Sequence, residues 1–176
     1  ITNNLDGIKS DFISSIDTLK NNIKKTILLE SSNNSRLAQA PSKVSLGIIE
    51  NPPPVESYNK ENIPMAVLLT GEFISVFKDR IIPKNNDINF KKSSDSTSII
   101  IVSDGDIIAN EVSSSGNAFP LGYDRYINYT FDGNKKFIIN AIQYLNNHNG
   151  LINLRSKNIK LRLLNNEKIS NYRTSI

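Results

Sequence analysis

Four consecutive β-branched residues, Ile99-Ile100-Ile101-Val102, form an apolar run without polar alternation. Such a run reads as a strand covered on both faces, which is the habit of central strands in α/β sheets. It stops at Ser103-Asp104-Gly105-Asp106, a composition that favours a turn at the strand's carboxyl end. Further on, Phe137, Ile138, Ala141, Ile142 and Leu145 recur at helical spacing, with Lys136, Asn140, Gln143 and Asn147 on the other side. The spacing predicts an amphipathic helix from about Asn134 to Asn147, laid on the sheet. A second apolar run, Met65-Ala66-Val67-Leu68-Leu69, makes Ile63 to Leu69 a second central strand beside Ser98 to Ser103. Between them, Phe73, Val76 and Phe77 stand at i, i+3, i+4, so Glu72 to Arg80 reads as a short helix in preference to a bent strand. The fold class that follows is α/β. It has a mostly parallel or mixed central sheet with helices on its faces, a partial Rossmann-like domain with an added β-rich portion.

The remaining sequence fills in around that core. At 176 residues and 38% hydrophobic, the chain suits one domain, with residues 1–60 as a β-rich appendage, 61–165 as the α/β core and 166–176 as a polar tail. Phe12 to Ile16, Lys25 to Glu30 and Lys43 to Ile49 are candidate strands, and Pro52-Pro53-Pro54 ends the last in an extended path. Ile1 to Ser10 reads as a ragged, polar lead-in. Lys84 to Thr97, rich in Asn, Lys, Ser and Asp, reads as a mobile surface loop. Ser113 to Gly133 is long for a connection but carries five aromatic residues, so it is expected to be ordered. After the helix, Leu151 to Leu154 and Ile159 to Leu163 read as two pairing strands.

Composition excludes several roles. The net charge of +4 is modest and the lysines and arginines are scattered, which leaves no basic face for nucleic acid. The absence of cysteine rules out disulfides and thiolate metal sites. No apolar run approaches the ~20 residues that span a bilayer. With neither an initiator Met nor a signal pattern, the amino terminus reads as a cut inside a longer chain.

Two groups of residues are candidates for chemistry. Asp104 and Asp106 follow the strand, where open α/β sheets bind ligands, and a carboxylate pair there can hold Mg²⁺ with a phosphate substrate. The competing reading has one of them accepting backbone N–H bonds within its own turn, and the lack of a third acidic ligand or a phosphate-cradling Gly-rich loop favours it. Tyr123, Arg125 and Tyr126 can clamp an anionic ligand, or can tether the long loop with rings at the core edge. His148, the only histidine, has no partners in the pattern and reads as a solvated residue after the helix. No catalytic residue, cofactor or metal follows from the residues alone.

Five segments in order carry a resemblance: Ala66 to Phe73, Ile101 to Asp106, Pro120 to Tyr126, Asn140 to Leu145 and Gly150 to Lys157. Together they resemble the gliding-motility-associated ABC-transporter auxiliary proteins of Bacteroidetes, protein G of the Gld type. More broadly they look like the auxiliary domain found beside uncharacterised ABC transporters. The resemblance implies a non-enzymatic, extracytoplasmic module of a membrane-anchored protein, often described as substrate-binding, at the periplasmic face of the inner membrane. Its implied partners are the permease and ATPase subunits, reached through the full-length protein, with membrane contact only through segments missing here. Family members are longer on both sides, and the family brings no catalytic residues to carry over. The alternative from a different class is a metal-dependent hydrolase or transferase built on Asp104 and Asp106.

Overall fold

The structure, a computed structural model, describes residues 1–43, 45, 47–80 and 89–146. In chain order the elements are β1 (Lys24–Glu30), a one-turn helix α1 (Gly47–Glu50), β2 (Pro64–Gly71), β3 (Thr97–Val102), β4 (Tyr123–Asp124), β5 (Tyr129–Thr130) and α2 (Asp132–Asn146). Short 3₁₀ turns lie at Val55–Ser57 and Asp106–Ile108. The first three strands form one antiparallel sheet in the order β1-β2-β3, and β4 pairs with β5 in a second antiparallel ladder. No helix among the described residues is long and apolar enough to cross a membrane.

This architecture overturns the expected parallel or mixed, Rossmann-like sheet. Parallel neighbours need a crossover of a dozen or more residues, usually a helix, and the helix expected over Glu72 to Arg80 does not form. Instead the chain doubles back after β2. Ile74 bridges Ser93, the Ser75 amide donates to the Lys92 carbonyl at 3.0 Å, and the Ser94 amide donates to Phe73 at 2.9 Å. The return therefore runs antiparallel, with Ala66 opposite Val102, Leu68 opposite Ile100 and Thr70 opposite Ser98.

The β-branched run also occupies a different place from the one its composition predicts. β2 is the central strand, and its Ala66, Val67 and Leu68 are buried. β3 is an edge of the described sheet, and alternates along its length: Ile100 and Val102 are half-buried while Ile99 and Ile101 are 41% and 44% exposed. The apolar residues of β3 thus serve one better-covered face and one more exposed face, the second covered at its centre, where Val67, the partner of Ile101, is 1% exposed.

The core forms where α2 and the turn after β3 meet β2. Phe137 of α2, Ala66 of β2 and Ile107 of the turn are almost fully buried together, with Leu28, Leu29, Val102 and Ile138 around them. α2 begins at Asp132 and buries one side through Asn134, Phe137 and Ala141, whereas Ile142 and Leu145 are exposed. The leading segment is a second departure from the sequence reading. Ile1, Leu5 and Ile8 pack on this core. Asn140 donates to the Ile1 carbonyl at 2.9 Å and Lys136 pairs with Asp6, so the lead-in is a strap across α2. Phe12 to Ile16 forms no strand, although the Ile16 amide donates to the Pro64 carbonyl at 2.8 Å. Gly47 to Glu50 is a helical turn closed by Asn51, where a strand was expected. The expectations for Asn147, His148, the two strands of 151–163, the tail and residues 84–88 lie outside the described residues.

Candidate functional site

Three of the expected residues come together with groups from distant parts of the chain. The strap, the 3₁₀ turn after β3, the β4–β5 hairpin and the start of α2 enclose a pocket of about 190 Å³ that includes Lys9, Asp106, Glu111, Tyr123 and Asn134 in its lining. Glu111 is its centre. One carboxylate oxygen accepts from Lys9 Nζ at 2.7 Å and the other from Arg125 Nε at 2.8 Å. Lys9 also reaches Asp11 at 3.3 Å and the Tyr123 carbonyl at 3.2 Å. Hydrogen bonds from Lys9 and then Arg125 hold the Glu111 carboxyl below its usual range, and Glu111 in turn raises both cations.

Asn134 fixes the pocket's floor. It is 2% exposed, its Oδ1 accepts from the Lys9 amide at 2.8 Å, and its Nδ2 donates to the Lys9 carbonyl at 2.7 Å and the Ile107 carbonyl at 3.2 Å. A single side chain thereby replaces the two backbone bonds of a β-bridge. Gly122 closes the hairpin base over it: its φ is +80°, and a Cβ there would lie 2.3 Å from the Phe131 carbonyl oxygen and 3.1 Å from Asn134 Oδ1. Only glycine suits that position.

The expected aromatic clamp is divided between two jobs. Tyr123 stacks on Phe119 with ring centroids 4.4 Å apart and donates its hydroxyl to Asn128 Oδ1 at 3.0 Å. Arg125 is engaged by Glu111. Tyr126, by contrast, is 89% exposed at the hairpin tip, where Asp124 Oδ1 accepts the Tyr126 amide at 2.9 Å and shapes the turn. Asp104 and Asp106 also part company. Asp104 is buried, accepting the Asp106 amide on Oδ1 at 2.8 Å and leaving Oδ2 buried without a partner among the described residues. Asp106 is exposed on the pocket's edge. Among the described residues no three acidic or histidine side chains gather where a metal ion could be held.

The comparisons with known proteins bear on the whole of this arrangement. Residues 1–141, which include both sheets and most of α2, match the family model described as an ABC-type uncharacterized transport system. The chain belongs to that family. No curated protein and no solved structure matches it. As an auxiliary protein of an ABC-type transport system, it carries its charged pocket in the matched region, with Lys9, Glu111 and Asn134 as members that sequence reading passed over. Lys9 lies 102 residues from Glu111 and 125 from Asn134 in the chain, and an isolated Lys, Glu or Asn carries no local signal of such pairing.

Proposed function

We propose that this auxiliary protein acts without catalysis, as an extracytoplasmic docking module at the periplasmic face of the inner membrane, joining the permease and ATPase of an ABC system linked to gliding motility. The observation that carries the docking role is the β4–β5 hairpin tip. Tyr126, Ile127 and Tyr129 are 89%, 62% and 56% exposed, while Asp124, Glu111 and Asn128 hold the surrounding backbone and side chains in place. A braced loop presenting aromatic rings loses little conformational entropy on binding, and Tyr is among the residues that dominate protein interfaces. Of the groups that sequence offers for chemistry, Tyr123, Arg125 and one oxygen of Asp104 are engaged within the fold.

The test uses the full-length protein. Tyr126→Ala, distant from the core, is expected to fold with unchanged melting temperature and to co-purify far less permease and ATPase from membranes. Undiminished co-purification would remove the hairpin from the interface. A melting temperature that rises with Mg²⁺ or Mn²⁺, and no longer does so in Asp104→Asn, would favour the metal-dependent enzyme instead.

A further inference from the structure

Two adjoining cavities on the other side of the strap share two lining residues and differ in chemical character, and we call the pair a trough. The first, about 390 Å³, lies beneath the strap and is lined mostly by apolar side chains, among them Leu5, Ile8, Leu28, Leu29 and Ile107. The second, about 310 Å³, lies beyond the end of β1, among Ser15, Ser31, Asn34, Arg36 and Tyr58. Ile13 and Met65 line both. The dividing wall is thus an isoleucine on an irregular segment and a methionine, a side chain that adapts readily to what packs beside it.

Charge assigns a direction to the trough. The lining of the first cavity includes Asp6, which is paired with Lys136, and Glu30, and no basic residue. The lining of the second includes Arg36, an exposed residue, and no acidic residue. Arg36 is exposed and Tyr58 is 39% exposed, and among the described residues neither the guanidinium nor the Tyr58 hydroxyl has a hydrogen-bond or ion-pair partner. An unengaged guanidinium beside hydroxyl and amide groups is a receptor for a carboxylate or phosphate. Beside the trough, Phe12 holds a positive φ of +59° and is 79% exposed. A bulky residue in that backbone region is held there against its preference, an arrangement that recurs at ligand clamps. It immediately precedes the dividing residue Ile13.

We propose that the trough binds a single anionic amphiphile, with its carboxylate or phosphate head at Arg36 and Tyr58 and its alkyl chain passing Ile13 and Met65 into the apolar cavity. The assignment is independent of the docking role of the hairpin. The chain contains no tryptophan, so Phe12→Trp supplies one fluorescent reporter at the trough. Decanoate and decyl phosphate, below their micelle concentrations, are expected to shift its emission to the blue saturably and to raise the melting temperature of the wild-type protein. The two probes tell which head is preferred. Arg36→Gln should weaken both by roughly tenfold or more, the loss of one charge-assisted contact, while leaving the weaker binding of uncharged decanol unchanged. Equal binding of decanoate by wild type and Arg36→Gln, or decanol binding as tightly as decanoate, overturns the headgroup assignment. If Phe12→Trp fails to fold, the wild-type melting temperature alone decides, and no rise with either anion overturns the proposal.

Discussion

Glu111 shows how a pair of salt bridges at the surface of a small core becomes a pH-sensitive fastener. Its carboxyl is held low by Lys9 first and Arg125 second, so the folded state favours the ionised form more than the unfolded chain does. The stability it contributes is complete above the ordinary carboxylate range, near 4.3, and is lost as pH falls through the lower folded value. Lys9 has the opposite sign: raised chiefly by Glu111, it contributes below the ordinary lysine value, near 10.4, and loses that contribution as pH rises through the folded one. Urea unfolding of Glu111→Gln across pH 3 to 7 is therefore expected to show a deficit at neutral pH that shrinks toward acid; a constant deficit would mean the carboxylate charge is irrelevant. Asn134 carries a neutral counterpart. Asn134→Ala leaves the Lys9 amide and the Lys9 and Ile107 carbonyls without their partner, at a cost of about 1–3 kcal/mol, measurable as a lower urea midpoint with an unchanged slope. Sequence reasoning reaches Asp104 because its bond to the Asp106 amide spans two residues. It does not reach Asn134, whose role depends on a segment 125 positions away.

At the scale of elements, local pattern fixed existence better than neighbourhood. β1, β2, β3 and α2 each stand close to where apolar periodicity puts them, since the forces that make a strand or a helix act within a few residues. Strand direction is set by the connection, and the Phe73-Val76-Phe77 spacing was read as a helix when Ser75 and Ser94 instead zip the chain back on itself. A run of isoleucines likewise cannot state how many of its faces will be covered. That difference makes a quantitative expectation. Leu68→Ala, in the central strand at 7% exposure, should cost roughly 2–5 kcal/mol, and Ile101→Ala, at the more exposed edge of its face at 44%, about 1 kcal/mol; equal losses in chemical denaturation would show that this edge is covered in solution. Gly133 gives the reverse of a propensity rule. Alanine is favoured over glycine in a helix by up to about 1 kcal/mol, yet a Cβ at Gly133 would lie 2.4 Å from the Gly7 carbonyl oxygen and 2.5 Å from that of Asp6. Gly133→Ala should thus lower the melting temperature, with a net loss of about 1–3 kcal/mol from forcing the strap away.

Across the whole molecule, the strap turns three weakly connected parts into one. Residues 1 to 16 contain no regular element, and yet they touch each part in turn: Ile1 and Asp6 meet α2, Lys9 meets Asn134, Glu111 and the hairpin backbone, Ser14 accepts from Ser103 after β3, and Ile16 donates to Pro64 at the start of β2. Ile1, Leu5 and Ile8 also complete the apolar cluster around Phe137 and Ile107. A three-stranded sheet with one half-buried helix encloses little core, and small cores leave stability near its threshold. Every contact of the strap closes a long loop, so its apolar residues and hydrogen bonds act together or not at all. A chain beginning at Asp17 should accordingly lose cooperative thermal unfolding while keeping part of its β signal in circular dichroism, and a synthetic peptide of residues 1–16 added in trans should restore the transition in proportion to its concentration. A truncated chain that still melts sharply near the intact temperature would show that β1 to β3 and α2 hold together without the strap, and that the pocket at Glu111 is attached to the fold and not part of what maintains it.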